Sequence, residues 1–403
     1  MNSDHKRPMA SRRRFGWMAL RAGALGFGGS YAVLGRIKRD VVDRERWMTE
    51  EEFVEQVAVA SALPGTAATN LLTMVGERLF GLRGAVAGAV GFIAPSALLM
   101  VLFGVFYERL VGIRAIGSAF EGMSVAAVGV VAAVAVDLRK SALKGGRDWA
   151  LGVGALIALG TRVLTLLEVV VVAGIIGALA MRPPVHRVPI DSSAAIERMS
   201  QADLAAPSSR LMRSLPVLLL PAAVGVSTLA SLFVVFARIG VATFGGGFAM
   251  IPSIEHEVVI ARGWLSERAF GDAIVLGQVT PGPVAIAATF VGYRVAHLLG
   301  ALVATVGIFS PPFVLSVIVS RSLGAFRQSR RMQGFLRGVA PAVVGVVAAA
   351  ALSLGQSTIH RWLDVAIAVA GFVLLVFVPR VSPLIVLIAG GVTAFVAHAG
   401  GFG

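Results

Sequence analysis

Two arginines stand inside apolar stretches, each six residues ahead of a glycine break: Arg21 before Phe27-Gly28-Gly29-Ser30, and Arg238 before Phe244-Gly245-Gly246-Gly247. A guanidinium is costly in hydrocarbon unless it faces a polar cavity or a partner, and its planar fork suits an oxyanion. Snorkelling to the interface competes as the placement of Arg21, which is nearer the chain end. Further along, Pro64-Gly65 and Pro281-Gly282-Pro283 interrupt a second pair of apolar stretches, with Gln278 and Thr280 just ahead of the latter. Proline removes an intrahelical hydrogen bond and glycine tolerates unusual dihedrals, so helix ends are expected within the membrane. The N-terminal ends of such half-helices carry positive potential and free N–H groups, which suit an anion. Gln278 and Thr280 either donate to that anion or satisfy carbonyls freed by Pro281. Any one of these breaks could serve packing or a kink alone. Four in matched positions, accompanied by intramembrane arginine, favour a binding site.

Carboxylates recur beside the breaks. Glu55 matches Asp272 at the mouth of the second broken helix, and Asp40 matches Glu257 in the connector after the first. A carboxylate near a desolvated site can carry protons during transport. For Asp40 and Glu257 a salt bridge to an arginine is an equal alternative. Glu255-His256-Glu257 has metal-ligand composition, but adjacent residues do not share a helical face, so no metal site is expected.

These pairs belong to an internal duplication. Arg21 and Arg238, Trp47 and Trp264, and Pro64 and Pro281 are each 217 residues apart. After one deleted residue the shift becomes 216, pairing Gly76 with Gly292, Arg78 with Arg294, Gly84 with Gly300, Pro95 with Pro311 and Gly129 with Gly345. Duplicated halves with broken helices are the sequence mark of transporters that bind substrate at the repeat interface.

Positioning those groups requires a membrane. The 403 residues are 57% hydrophobic and only 14% charged, against roughly 25% charge in soluble domains. Mean hydropathy is +0.83. The apolar runs are continuous rather than alternating, so they read as helices and exclude an outer-membrane barrel. The expected fold is an all-α polytopic membrane protein of two repeats with broken or re-entrant helices and about 10 to 12 hydrophobic segments. The region 149–181 reads as two short helices or one broken one, and 211–250 as a span plus a re-entrant half-helix.

The formal charge of +14 lies mostly in loops, where it reports cytoplasmic retention rather than nucleic acid. Arg139, Lys140, Lys144 and Arg147 make one basic loop, whose counterpart holds only His360, Arg361 and Asp364. Conversely, Arg321, Arg327, Arg330, Arg331 and Arg337 face a first-half counterpart with no basic excess. Equivalent loops therefore lie on opposite sides, and the repeats are inverted about an axis in the membrane plane. The divisions expected are a basic cytoplasmic tail (1–14), a first repeat (15–181), a cytoplasmic linker rich in proline and serine (182–212) and a second repeat (213–403). Ser11-Arg12-Arg13-Arg14-Phe15 looks in outline like a twin-arginine signal, but no small-x-small cleavage site follows, and it reads better as a cytoplasmic anchor. Absence of cysteine removes disulfides, thiolate metal sites and cysteine nucleophiles.

The second half resembles the chromate ion transporter family in its long, two-domain form. The resemblance rests on Phe244-Gly245-Gly246-Gly247, Ala249-Met250-Ile251-Pro252, Trp264-Leu265, Gly277-Gln278-x-Thr280-Pro281-Gly282-Pro283, Ala288-Thr289-Phe290-Val291-Gly292-Tyr293 and Gly307-Ile308-Phe309-x-Pro311. The first half resembles the family through Gly26-Phe27-Gly28-Gly29, Trp47, Leu63-Pro64-Gly65, Gly76-x-Arg78 and Pro95-Ser96. It departs from the family pattern at Ser30, Ser61 and Thr66, so the chemistry is expected to lean to the second half. The resemblance implies export of chromate across the bacterial inner membrane, energised by the membrane potential or by protons, with no ATP site and no cofactor. Uptake or exchange of sulfate and an anion channel are the alternatives. An intramembrane enzyme would need a nucleophile and a metal set that the sequence does not present. Partners expected are the oxyanion, protons and lipid, with a homodimer allowed and nucleic acid excluded.

Overall fold

In hydrocarbon a backbone must satisfy its own hydrogen bonds, and in a computed structural model the apolar stretches duly form helix. The structure describes residues 11–26, 30–180, 225–244, 247–324, 329–378 and 381–400. Among them are fifteen α-helices. The first repeat contributes α1 (Arg12–Ala24), α2 (Ser30–Lys38), α3 (Glu50–Ala62), α4 (Ala67–Phe80), α5 (Leu82–Val111), α6 (Arg114–Ala142), α7 (Gly146–Gly160) and α8 (Leu166–Ala180). The second contributes α9 (Val226–Ala242), α10 (Ile251–Glu255), α11 (Glu267–Val279), α12 (Ala287–Arg321), α13 (Arg330–Thr358), α14 (Trp362–Phe377) and α15 (Pro383–Ala399). The helices outnumber the apolar segments because each broken stretch supplies two. The region 149–181 resolves into two short helices, α7 and α8.

Local geometry repeats with the sequence. α2 and α10 both widen into π-helical turns at matching positions, Arg39–Arg44 and His256–Ala261. α12 is the counterpart of α4 and α5 together: the chain doubles back at His297 (φ 49°), which the 216 shift pairs with Gly81 (φ 63°) between α4 and α5. Both hairpins close on glycines, Gly76 against Gly84 and Gly292 against Gly300, where an added Cβ would strike backbone. The recurring glycines are thus the seams of two helical hairpins.

Ion pairs at helix ends fix the direction of each repeat. Arg14 lies 3.8 Å from Glu45 and the Phe15 ring 6.1 Å from Trp47, so α1 and α2 enter and return on one face. Arg78 at the end of α4 pairs with Glu52 at the start of α3, so this second broken stretch returns to the same face. α5 then runs about 45 Å, at ~1.5 Å per residue, and its end meets the other repeat: Glu108 pairs with Arg294 at the equivalent hairpin end. In the reverse direction, α12 ends with Arg321 bonded to Glu77 of α4 at 2.7 Å. The outgoing long helix of each repeat thus ends on the face that holds the hairpin of the other, which is the inverted relation that loop charge predicts.

The halves are also interleaved. α6 of the first repeat packs on α14 and α15, with Gly129 against Ala368 and Gly122 against Gly390. α13 of the second packs on α7 and α8, with Gly345 against Gly152 and Gly338 against Ala173. Small residues at these crossings let backbones touch, which drives association where lipid cancels the hydrophobic effect. α5, α6, α12 and α13 are long and apolar enough to cross a membrane, whereas α7, α8, α9, α14 and α15 have 15 to 17 residues. The protein is a multi-pass membrane protein whose long helices carry the broken ones.

Candidate functional site

The four breaks meet in two reciprocal contacts. The Gly65 N–H donates to the Thr243 carbonyl at 2.5 Å, and the Gly282 N–H donates to the Gly26 carbonyl at 3.4 Å. Under the 217 shift Gly65 becomes Gly282 and Gly26 becomes Thr243, so each proline break of one repeat is tied to the glycine break of the other. Positive φ at Gly65 (96°) and Gly282 (116°) makes the turns, a conformation that side chains resist. These two N–H groups are therefore spent on holding the repeats together. Gly247 (φ 98°) completes the centre, with Val284 of the second repeat and Thr66 of the first within ordinary contact distance of the space above it.

Side chains stitch the same place. Ser96 on α5 donates to the Pro281 carbonyl at 2.5 Å. Asn70 on α4 donates to the carbonyls of Pro64 (2.8 Å) and Ala60 (3.1 Å), which the break leaves without helical partners. Gln278, just ahead of the second break, has neither amide oxygen nor nitrogen paired among the described residues, and the buried Thr280 hydroxyl is likewise unpaired. A buried polar atom left without a partner costs about 1 to 3 kcal/mol, so such atoms mark where water or a ligand belongs. Pro283 precedes a short 3₁₀ turn that leads into α12. Gly28, Gly29, Gly245, Gly246 and the Ser30 side chain lie outside the described residues.

Two repeat-related cavities lie along the first broken stretch of each repeat. One, of about 310 Å³, is lined by Arg21, Arg36, Arg39, Asp40 and Arg44. The other, of about 280 Å³, lies between α9, α10, α13 and the α7–α8 turn, and its lining includes Arg162, Arg238, Ser253, Glu255, His256 and Glu257. Arg21 and Arg238 thus both face cavities, but separate ones, and do not clamp a single anion. Asp40 bonds Arg44 at 3.2 Å and Glu257 pairs with Arg262, the salt bridges that the sequence allowed for both acids.

The two matched acids of the broken helices diverge. Asp272 on α11 is 1% exposed and accepts from Tyr107 Oη of α5 at 2.6 Å. Tyr107 in turn packs edge-on against Phe290 and beneath the Arg294 guanidinium. Glu55 on α3 is half-buried. Neither acid lines either of these two cavities. Tyr107, Asn70 and Ser96 were not among the residues that composition and spacing singled out for the site, although each is a polar side chain in an apolar helix, which is the signal that could have found them.

Comparison with known proteins agrees with the geometry. The sequence model of the chromate transporter family matches residues 13–180 and 230–395, one match per repeat. The chain belongs to the chromate transporter family. It is 29% identical over 98% of its length to a chromate transport protein of Cupriavidus metallidurans, covering 96% of that protein. A probable chromate transport protein of Synechococcus elongatus is 29% identical, over 88% of each chain. A chromate transport protein of Pseudomonas aeruginosa is 30% identical over 85% of this chain and 80% of its own. No solved structure matches. Membership in the family extends over both repeats, so the reciprocal breaks and both cavities fall inside the matched regions.

Proposed function

We propose that this protein is a secondary transporter that moves chromate out of the bacterial cytoplasm across the inner membrane. The observation that carries the reading is the reciprocal crossing of four helix breaks between inverted repeats, with one cavity along the first broken stretch of each. Family membership supports chromate as the substrate. In an inverted pair, rocking one repeat against the other opens a central site to each side in turn. Gln278 and Thr280 supply unpaired hydrogen-bonding atoms at that centre, and the glycine breaks supply helix-end N–H groups for the dianion. Arg21 and Arg238 line the two separate cavities, one in each repeat.

The face that carries Arg139, Lys140, Arg321 and Arg330 is the cytoplasmic one by the positive-inside rule. Asp272 is the preferred proton carrier. It is a buried carboxylate held by a phenol of the other repeat, so its hydrogen bond crosses between the two repeats. Glu55 is the repeat-related alternative. Carrier action predicts saturable chromate flux with counterflow: vesicles preloaded with unlabelled chromate should transiently accumulate labelled chromate. Flux that rises without saturation and shows no counterflow would mean a channel, and stronger competition by sulfate than by chromate would mean a sulfate carrier.

A further inference from the structure

The two cavities share a register but not a charge. Under the 217 shift Arg21 becomes Arg238 and Asp40 becomes Glu257, yet Arg36 becomes Ser253, Arg39 becomes His256 and Arg44 becomes Ala261. The first cavity therefore carries four guanidiniums and one carboxylate, whereas the second carries two guanidiniums, Arg162 and Arg238, and two carboxylates, Glu255 and the Arg262-paired Glu257. Arg21, Arg36 and Arg39 form no ion pair with any described residue. Their N–H donors stay available, and the surplus of like charge calls for an anion. Because the repeats are inverted, the arginine cavity belongs to the face of Arg14, Glu45 and Arg321, and the balanced cavity to the face of Arg268 and Arg294.

We propose that the arginine cavity is a capture site for a tetrahedral dianion arriving from water, separate from the central crossing, and that its balanced mate is a weakly holding exit. A cleft lined by one sign of charge concentrates the opposite ion and raises its on-rate by about 10 to 10³-fold. Guanidiniums bind tetrahedral oxyanions through paired N–H groups. In the second cavity Glu255 and the Arg262-paired Glu257 weaken the attraction of Arg162 and Arg238 for the same dianion, so it is held less firmly. The asymmetry makes half-saturation differ between the two faces, while the driving gradient sets the direction of net flux. It rests on the transport reading for its use, though not for the binding itself.

The test is the ratio of half-saturating chromate concentrations measured from the two faces in oriented vesicles. Arg36→Gln with Arg39→Gln should raise half-saturation from the arginine face about tenfold, the lower end of such focusing, and leave the opposite face as in the wild type. Ser253→Arg, which adds the missing arginine to the second cavity, should tighten half-saturation on that face and slow release there. Unchanged ratios in both variants would overturn the proposal. A phosphate headgroup carries the same chemistry, so the assay is run in phosphatidylcholine alone and with phosphatidylglycerol. A shift seen only with the anionic lipid would mean a lipid site and would also overturn it. If the wild type moved no chromate, the transport reading would fall, and labelled sulfate binding to the purified protein would decide the cavity: weaker binding by the double variant supports the capture site, equal binding refutes it.

Discussion

At the scale of residues, Gly282 shows how one position serves both chain direction and repeat contact. Its φ of 116° is a region that side chains resist, and a Cβ there would collide with Ser96 Oγ, whose bond to the Pro281 carbonyl closes the break. Strain of this kind costs about 1 to 3 kcal/mol before any clash is counted. Gly282→Ala should therefore lower the unfolding temperature in detergent and abolish flux. Gly154→Ala, in α7 with nothing near its Cβ, should be neutral or stabilising by up to ~1 kcal/mol. Equal stability of the two variants would remove the break from its structural role. Asp272 and Asn70 illustrate a different point. Each is a polar residue whose partners lie outside its own helix, Tyr107 for Asp272 and the Ala60 and Pro64 carbonyls for Asn70, so its type is readable in the sequence but its partners are not.

At the scale of elements, much was legible. Continuous apolar runs gave helices, proline and glycine gave the breaks, and the 217 and 216 shifts gave their equivalence. What stayed hidden follows from long-range geometry. The π-helical turns at Arg39–Arg44 and His256–Ala261 depend on a backbone adjustment that leaves no local residue signature. The reversal at His297 was hidden because its repeat mate is a glycine and histidine does not advertise a turn. The pairing of Gly345 with Gly152 could not be read either, since it crosses from one repeat to the other. That crossing makes a prediction about elements: Gly345→Ala drives a methyl into the Gly152 carbonyl and should cost about 1 to 3 kcal/mol through overpacking. The yield of folded protein from detergent gel filtration should fall, and a yield equal to wild type would contradict the α7–α13 contact.

At the scale of the whole molecule, inversion and interleaving act together. Each repeat's second long helix, α6 or α13, is packed among helices of the other, so the halves are tied at their peripheries as well as at the crossing of their breaks. In the transport reading proposed above, the halves rock about this pseudo-two-fold axis and the contacts of the centre exchange two-fold-related roles. Loop charge foresaw the inversion because Lys and Arg are sorted by face, whereas interleaving has no charge signature and became visible only through the glycine crossings. The central claim is gradient-driven export of the oxyanion. Its most direct measurement is chromate uptake into inside-out vesicles, with the pH gradient and the membrane potential collapsed separately and without ATP. The account predicts uptake that is saturable, needs no ATP, and falls when one of the two gradients is removed. Uptake that requires ATP, or that persists unchanged with both gradients collapsed, would contradict it.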